Sequence, residues 1–229
     1  MNYLDLVQST AKQAGHGSLN IQTTANQTRM SGMFAMWVAD AWDALQGMQS
    51  WDFMRKSASF AVTAGVQSYA RADAGIADLR EWCKSNDQHA YLTLTFANGE
   101  TSTVRELDRQ LFFDRFKRAP TDTRTPAYFC MTELGTLEFD AIPSQSGTAV
   151  GQYWKYAVHL VDDTDEPDMN PDWHRAIVGL ALKEYGEYDE APAVLSKGRR
   201  IFNGVYERMC IDALPEFVLA PNPMAWGRR

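Results

Sequence analysis

Cysteine is scarce in this chain of 229 residues: Cys83, Cys130 and Cys210 are odd in number and far apart. No CxxC or Cys/His spacing accompanies them, which argues against structural zinc. Reduced, buried thiols are the expectation, in keeping with synthesis in a cytoplasm. Positive charge is also in deficit. The 22 Lys and Arg face 29 Asp and Glu, a formal net charge of −7. That balance argues against nucleic-acid binding over the whole surface, without excluding a protein past which DNA slides ungripped. The longest apolar runs fall far short of a membrane span. Residues 1–13 hold Asp5 and no long apolar core, unlike a signal peptide. GxSxG, GxGxxG, HExxH and a phosphate-binding glycine loop are absent, as are internal repeats and low-complexity tracts.

What is present is globular in composition, with 45% apolar and 22% charged residues. The length can bury a core as one domain or two. Seven Trp, nine Tyr and eleven Phe make a generous aromatic load. Such residues serve cores and protein–protein contacts.

Periodicity divides the chain into three. Leu4, Val7 and Ala11 predict a helix over residues 3–14, closed by Gly15 and Gly17. Thr24 and Gln27 form a capping-box pattern ahead of a longer helix with Met30, Phe34, Trp37, Ala41, Leu45 and Met48 on one side. The period then becomes two. Residues 53–62 and 66–69 predict a hairpin around Ala64-Gly65. Residues 79–83, 91–96, 128–132, 136–142 and 151–161 predict further strands, and helical spacing over 104–117 interrupts them. Two helices, 170–187 and 191–214, complete the pattern before Pro215. The expected class is α+β: a bundle of N- and C-terminal helices holding an inserted antiparallel β-sandwich or barrel-like domain. The divisions are 1–51 with 162–214, 52–161, and a tail over 215–229.

The junction between strands and final helices is acidic. Asp162, Asp163, Asp165, Glu166, Asp168 and Asp172 precede a helix for which Asn170 supplies an N-cap and Pro171 a first residue. Asp163, Asp165 and Asp168 approach a calcium-loop spacing, yet the central Gly and the closing Glu are missing. A solvated, helix-capping turn is the better reading. His159 and His174 flank this turn without a nucleophile motif. Lys197, Arg199 and Arg200 cluster on the last helix, an ordinary solvated face or ion-pair partner.

Three segments carry a resemblance: WDFMRKSASFAVTAGVQSY from Trp51, TPAYFCMTELGTLEFDAIPS from Thr125, and YWKYAVHLVDDTDEPDMNPDWHRAIVGLAL from Tyr153. In order and spacing the chain resembles the head–tail adaptor (connector) proteins of tailed bacteriophages, in the podovirus-type group, from about Met33 to Leu214. The resemblance implies a structural, non-enzymatic virion protein without cofactor or metal. It implies a homo-oligomeric, commonly dodecameric ring beneath the portal. That ring would extend the DNA channel without sequence-specific binding and give tail or nozzle proteins a platform, with no membrane partner. Docking on portal or neighbour would fall to Phe217, Val218, Leu219, Pro221, Met224, Trp226, Arg228 and Arg229. Subunit contacts would involve Asp162, Asp163, Asp165, Lys197, Arg199 and Arg200.

Two rivals make different demands. A β-domain module of a phage tail that binds a ligand or host surface needs exposed, coplanar aromatics such as Tyr91, Tyr153 and Trp154. A hydrolase built on His159 and His174 needs a deep pocket with perturbed carboxylates.

Overall fold

The computed structural model describes residues 1–84, 91–117, 122–133 and 135–213. The chain forms two compact units, one of Met1–Phe53 with the chain from Ala157 onward, the other Met54–Tyr156.

The first unit is helical. Helix α1 (Tyr3–Gln13) opens on a capping box, with Asn2 Oδ1 accepting from the Asp5 N–H and Asp5 Oδ2 accepting from the Asn2 N–H. It buries Leu6, Val7, Thr10 and Ala11. Helix α2 (Arg29–Met48) follows Thr28, which gives it no side-chain cap. The capping box expected at Thr24 and Gln27 does not form, because Thr24 bonds elsewhere, as described below. Helix α2 buries Phe34, Val38, Ala41, Trp42 and Leu45 along one stripe. Each such large side chain contributes about 1.5–3 kcal/mol on leaving water.

Asn170 Oδ1 accepts from the Asp172 N–H, and Pro171 starts a short 3-10 turn that runs into α4 (His174–Tyr188). Helix α4 is buried on nearly every side, as the centre of a bundle should be. It packs on α1, α2 and α5 (Pro192–Asp212). Contact with α5 is close enough to demand glycine. A Cβ on Gly198 would lie 2.8 Å from Gly179 O, and one on Gly186 would lie 2.7 Å from Leu195 N.

The second unit is one mixed sheet. Its strands are β1 (Arg55–Val62), β2 (Ser68–Tyr69), β3 (Leu79–Trp82), β4 (Tyr91–Phe96), β5 (Thr101–Glu106), β6 (Tyr128–Met131), β7 (Leu137–Phe139) and β8 (Gly147–Lys155). The order is β1-β8-β4-β5-β6-β7-β2, with β3 also on β8. Strands β1 and β2 stand at opposite ends of that order, yet the rings of Phe60 and Tyr69 are 5.6 Å apart. The sheet therefore curls into a half-barrel. Alternation sends Ala58, Phe60, Val62, Leu92, Leu94 and Phe96 inward.

The α+β class with helices from both ends and a barrel-like β segment is the observed one. Four details differ. Residues 53–62 and 66–69 are not a hairpin: β1 pairs with β8, and β2 with β7. Among the described strands the pairing is antiparallel except between β5 and β6, which run parallel, and an isolated bridge between Thr123 and Ile142 is parallel too. Residues 104–106 are strand rather than helix, because Val104 faces inward opposite Leu92. The helical part is one turn, α3 (Arg109–Phe112), continued by a π turn over Phe113–Lys117. The last strand ends at Lys155 rather than 161.

Candidate functional site

The acidic junction acts first on α1. The Asp165 C=O accepts from the Tyr3 N–H at 2.7 Å, and the Asp163 C=O from the Leu4 N–H at 3.2 Å. These are first-turn donors that a helix cannot satisfy by itself. Asp163 Oδ1 accepts from both the N–H and the Oγ1 of Thr24, each at 2.6 Å. Asp165 Oδ2 accepts from the N–H groups of Val161 and Asp162 at 2.7 and 2.8 Å. Such donors favour the charged carboxylate. The Thr24 hydroxyl foremost, then its N–H, hold Asp163 below the usual carboxylate range. The Val161 and Asp162 N–H groups do the same for Asp165. Two of the three carboxylates in the calcium-like pattern are thus spent on N–H and O–H donors. Among the described residues no group of three His, Cys, Asp or Glu could hold a metal ion.

The other end of α1 is held from α5. Lys197 Nζ donates to the Gln13 C=O at 2.9 Å. A cation there meets the negative end of the helix dipole.

Residues 157–161 continue beyond the sheet, and α2 takes the pairing groups of Val158. Gln46 is 1% exposed. Its Oε1 accepts from the Val158 N–H at 3.0 Å and its Nε2 donates to the Val158 C=O at 3.1 Å. Trp42 Nε1 donates to the same C=O at 2.5 Å. A side-chain amide here imitates a strand rung, so the Val158 backbone stays paired past the end of β8. Val161 is left 70% exposed.

A cationic groove of about 330 Å³ lies on the helical unit. Lys197, Arg200, Gly204 and Arg208 share one face of α5 and line it with Arg175 and Gln13. Among the described residues no carboxylate lines it. Arg199 is exposed but stands off that face, and Asp162 is exposed. Lys197 and Arg200 stand out in the sequence as part of one basic cluster, whereas Arg175 and Arg208 do not. The helical offsets from 197 to 200 and 208 carried the signal for Arg208. Arg175 belongs to another helix and had none.

The histidines do not form a shared site. His159 Nδ1 lies 2.8 Å from Asp43 Oδ2 at the surface. His174 is 1% exposed, and burial, its largest influence, lowers its pKa. Nor do the aromatics form a platform. Tyr153 is buried, and its hydroxyl donates to Asp78 Oδ1 at 2.7 Å. Burial foremost, then Asp78, pushes the Tyr153 phenol up to about 12. Burial also pushes Asp78 up, but the bonds from Lys56 and Tyr153 outweigh it and hold Asp78 below its usual range. Trp154 lies beneath the Arg55 guanidinium, 5.8 Å from its ring centre. Of the three aromatics the host-binding rival requires, Tyr91 stands at 47% exposure and Tyr153 is inside.

In the β unit a cavity of about 400 Å³ is lined by Arg109, Phe112, Cys130, Thr132 and Glu138, with an Arg109–Glu133 ion pair at its side. The expected docking residues Phe217, Val218, Leu219, Pro221, Met224, Trp226, Arg228 and Arg229 lie outside the described residues.

The family model described as SU10 adaptor protein matches residues 1–220. No curated protein matches the chain.

Proposed function

The chain belongs to the SU10 adaptor family, and on that premise we propose that it forms a ring, dodecameric in its mature state, between the portal and the tail of a bacteriophage particle. Membership makes it a structural phage protein of the adaptor kind, a component of the virion that associates with portal and tail proteins. The ring, the DNA channel and the docking residues are our reading of how it does so. The match over 1–220 is the single observation that carries this reading.

In this reading the protein is made in the host cytoplasm and joins filled heads. Its ring continues the portal channel, passes DNA without binding a sequence, and presents tail or nozzle proteins with a platform. The net charge of −7 supports the channel role, since each phosphate contact would add friction. The protein has no catalytic task. Among the described residues no helix is long and apolar enough to cross a membrane.

The divisions 1–51 with 162–214, 52–161 and 215–229 belong to the same reading. The tail docks on portal or neighbour through Phe217, Val218, Leu219, Pro221, Met224, Trp226, Arg228 and Arg229. The subunit contact falls to Asp162, Asp163, Asp165, Lys197, Arg199 and Arg200, of which Asp163, Asp165 and Lys197 also serve α1 within the copy. The groove formed by Arg175, Lys197, Arg200 and Arg208 suits an acidic partner surface. Each ring contact buries more than a standard interface of about 1,600 Å².

The test is co-sedimentation with portal rings of the full chain and of a chain ending at Leu214. The full chain is expected on the portal and the shortened one, still folded, largely in the supernatant. Equal binding of both would remove the tail from the reading. Binding by neither would remove the portal.

A further inference from the structure

Strand β1 ends the strand order, and among the described strands none pairs with its far edge. Its register with β8 sets Ser57 opposite Gln152, Ser59 opposite Val150 and Ala61 opposite Thr148. The Gln152 C=O accepts from the Cys83 N–H at 2.9 Å, on the side of β8 that faces away from β1. In an antiparallel pair, opposed residues either exchange both bonds or turn both away. Gln152, Val150 and Thr148 keep step, so all three turn away from β1. Ser57, Ser59 and Ala61 must then turn their own N–H and C=O groups outward. Among the described residues no strand or loop bonds to those groups.

The edge also lacks the guards that keep strands from pairing with strangers. Its register is continuous over eight residues, with no bulge and no proline. The outward residues are small and uncharged. The cations Arg55 and Lys56 stand at one end, where Lys56 is bonded to Asp78 at 2.6 Å. Beside the edge, a groove of about 400 Å³ runs over the outer face past Ser57, Gly151, Val150 and Tyr91. Val150 and Tyr91 are 45% and 47% exposed there.

One chemistry satisfies a row of alternating backbone donors and acceptors: another extended backbone, whose side chains can then fill the groove alongside. We propose that β1 receives a strand from a second copy of this chain, so that the sheet continues across the subunit contact. This rests on the adaptor reading, in which each copy meets the same neighbour around a closed ring. An unguarded edge of this length invites aggregation unless the working assembly covers it, and a ring of identical copies covers every edge in the same way.

The test uses the full chain, alone and with portal rings. Amide exchange at Ser57, Ser59 and Ala61 should be fast in the free subunit and at least about tenfold slower in the assembly. Ser59→Pro removes one outward N–H and leaves the β1–β8 ladder intact, whereas Ser59→Ala keeps that N–H. Ser59→Pro should assemble at least about tenfold more weakly, and Ser59→Ala like the unaltered chain. Equal assembly of the two variants, or amides that exchange alike in both states, would overturn the strand contact. Protection that appears only on the portal and without contact between copies would assign the edge to the portal and overturn the second copy as its occupant. If Ser59→Pro does not fold, exchange in the unaltered chain decides alone. Rings that form on the portal with an unprotected β1 would sink this contact and leave the adaptor reading standing. A chain that never binds the portal would sink the adaptor reading instead.

Discussion

Gly198→Ala should destabilise the helical unit, while Gly204→Ala in the same helix should stabilise it. At Gly198 an added Cβ would meet Gly179 O at 2.8 Å, Lys183 N at 2.9 Å and Leu182 Cβ at 3.1 Å. Ordinary contacts need about 3.5–4.0 Å, so α4 and α5 would have to part by about half an ångström or more. Two of the three obstacles are backbone and cannot rotate aside. Overpacking of this kind costs about 1–3 kcal/mol, and backbone obstacles place it towards the upper end. Alanine regains up to about 1 kcal/mol of helix propensity, leaving a net loss of about 2 kcal/mol. At Gly204 a Cβ meets nothing within 4 Å, so the propensity gain stands alone. The two variants should therefore differ by about 2–3 kcal/mol, or roughly 5–10 °C in Tm at this chain length. Urea and thermal unfolding followed by circular dichroism at 222 nm would measure it. If Gly198→Ala proves as stable as Gly204→Ala, close α4–α5 packing is not what those glycines serve.

Other perturbations test the clasp on α1 and the polar interior. Lys197→Met should cost about 1 kcal/mol by removing the charged donor from the Gln13 carbonyl, with faster amide exchange near the end of α1 as the local readout. Gln46→Leu should cost about 1–3 kcal/mol and expose the Val158 amide to exchange, because its partner is lost. Acid should loosen the junction. Asp163 and Asp165 have folded pKa values below the usual carboxylate range, so their contribution is complete above about pH 4 and is lost as pH falls through the depressed values. Protection at the Thr24 and Asp162 amides, measured against the intrinsic rate at each pH, should fall there, and unchanged protection at pH 2 would contradict the assignment. In alkali the sign reverses. The Tyr153 and Tyr185 phenols are held protonated to about 12 by burial foremost and then by Asp78 and Asp189. Stability from them is full below pH 10 and falls between about 10 and 12, which absorbance at 295 nm and unfolding midpoints would show together.

Much of this architecture can be read along the chain, because helices and strands with one buried face keep their period. Leu4, Val7 and Ala11 mark α1, and Leu92, Leu94 and Phe96 mark β4, to within a residue of the observed bounds. Pairing partners are another matter. Ala64-Gly65 does form a turn, with Gly65 at φ 85°. Yet β1 pairs with β8, distant in sequence, and no local pattern encodes that choice. Residues 156–161 look like strand because they are β-branched and aromatic. The groups that take them off the sheet, Gln46 and Trp42, sit on α2 and leave no mark nearby. The acidic junction was legible as a helix-capping turn, but the sequence pointed to the helix that follows it. Its carbonyls and carboxylates also serve α1, at the opposite end of the chain. Trp173 shows the limit of apolar character as a guide, since it is half-buried at the start of α4 rather than in the core. Trp173→Ala should therefore cost about 1–2 kcal/mol, below the roughly 3–5 kcal/mol of a fully buried tryptophan.

The central claim, that identical copies close into a ring against the portal, is tested most directly by mass. Light scattering or native mass spectrometry of the purified chain, alone and mixed with portal rings, would count the copies bound. The account predicts a single closed stoichiometry on the portal, twelve by the ring reading. A chain that stays monomeric at every concentration and leaves the mass of the portal rings unchanged would contradict it.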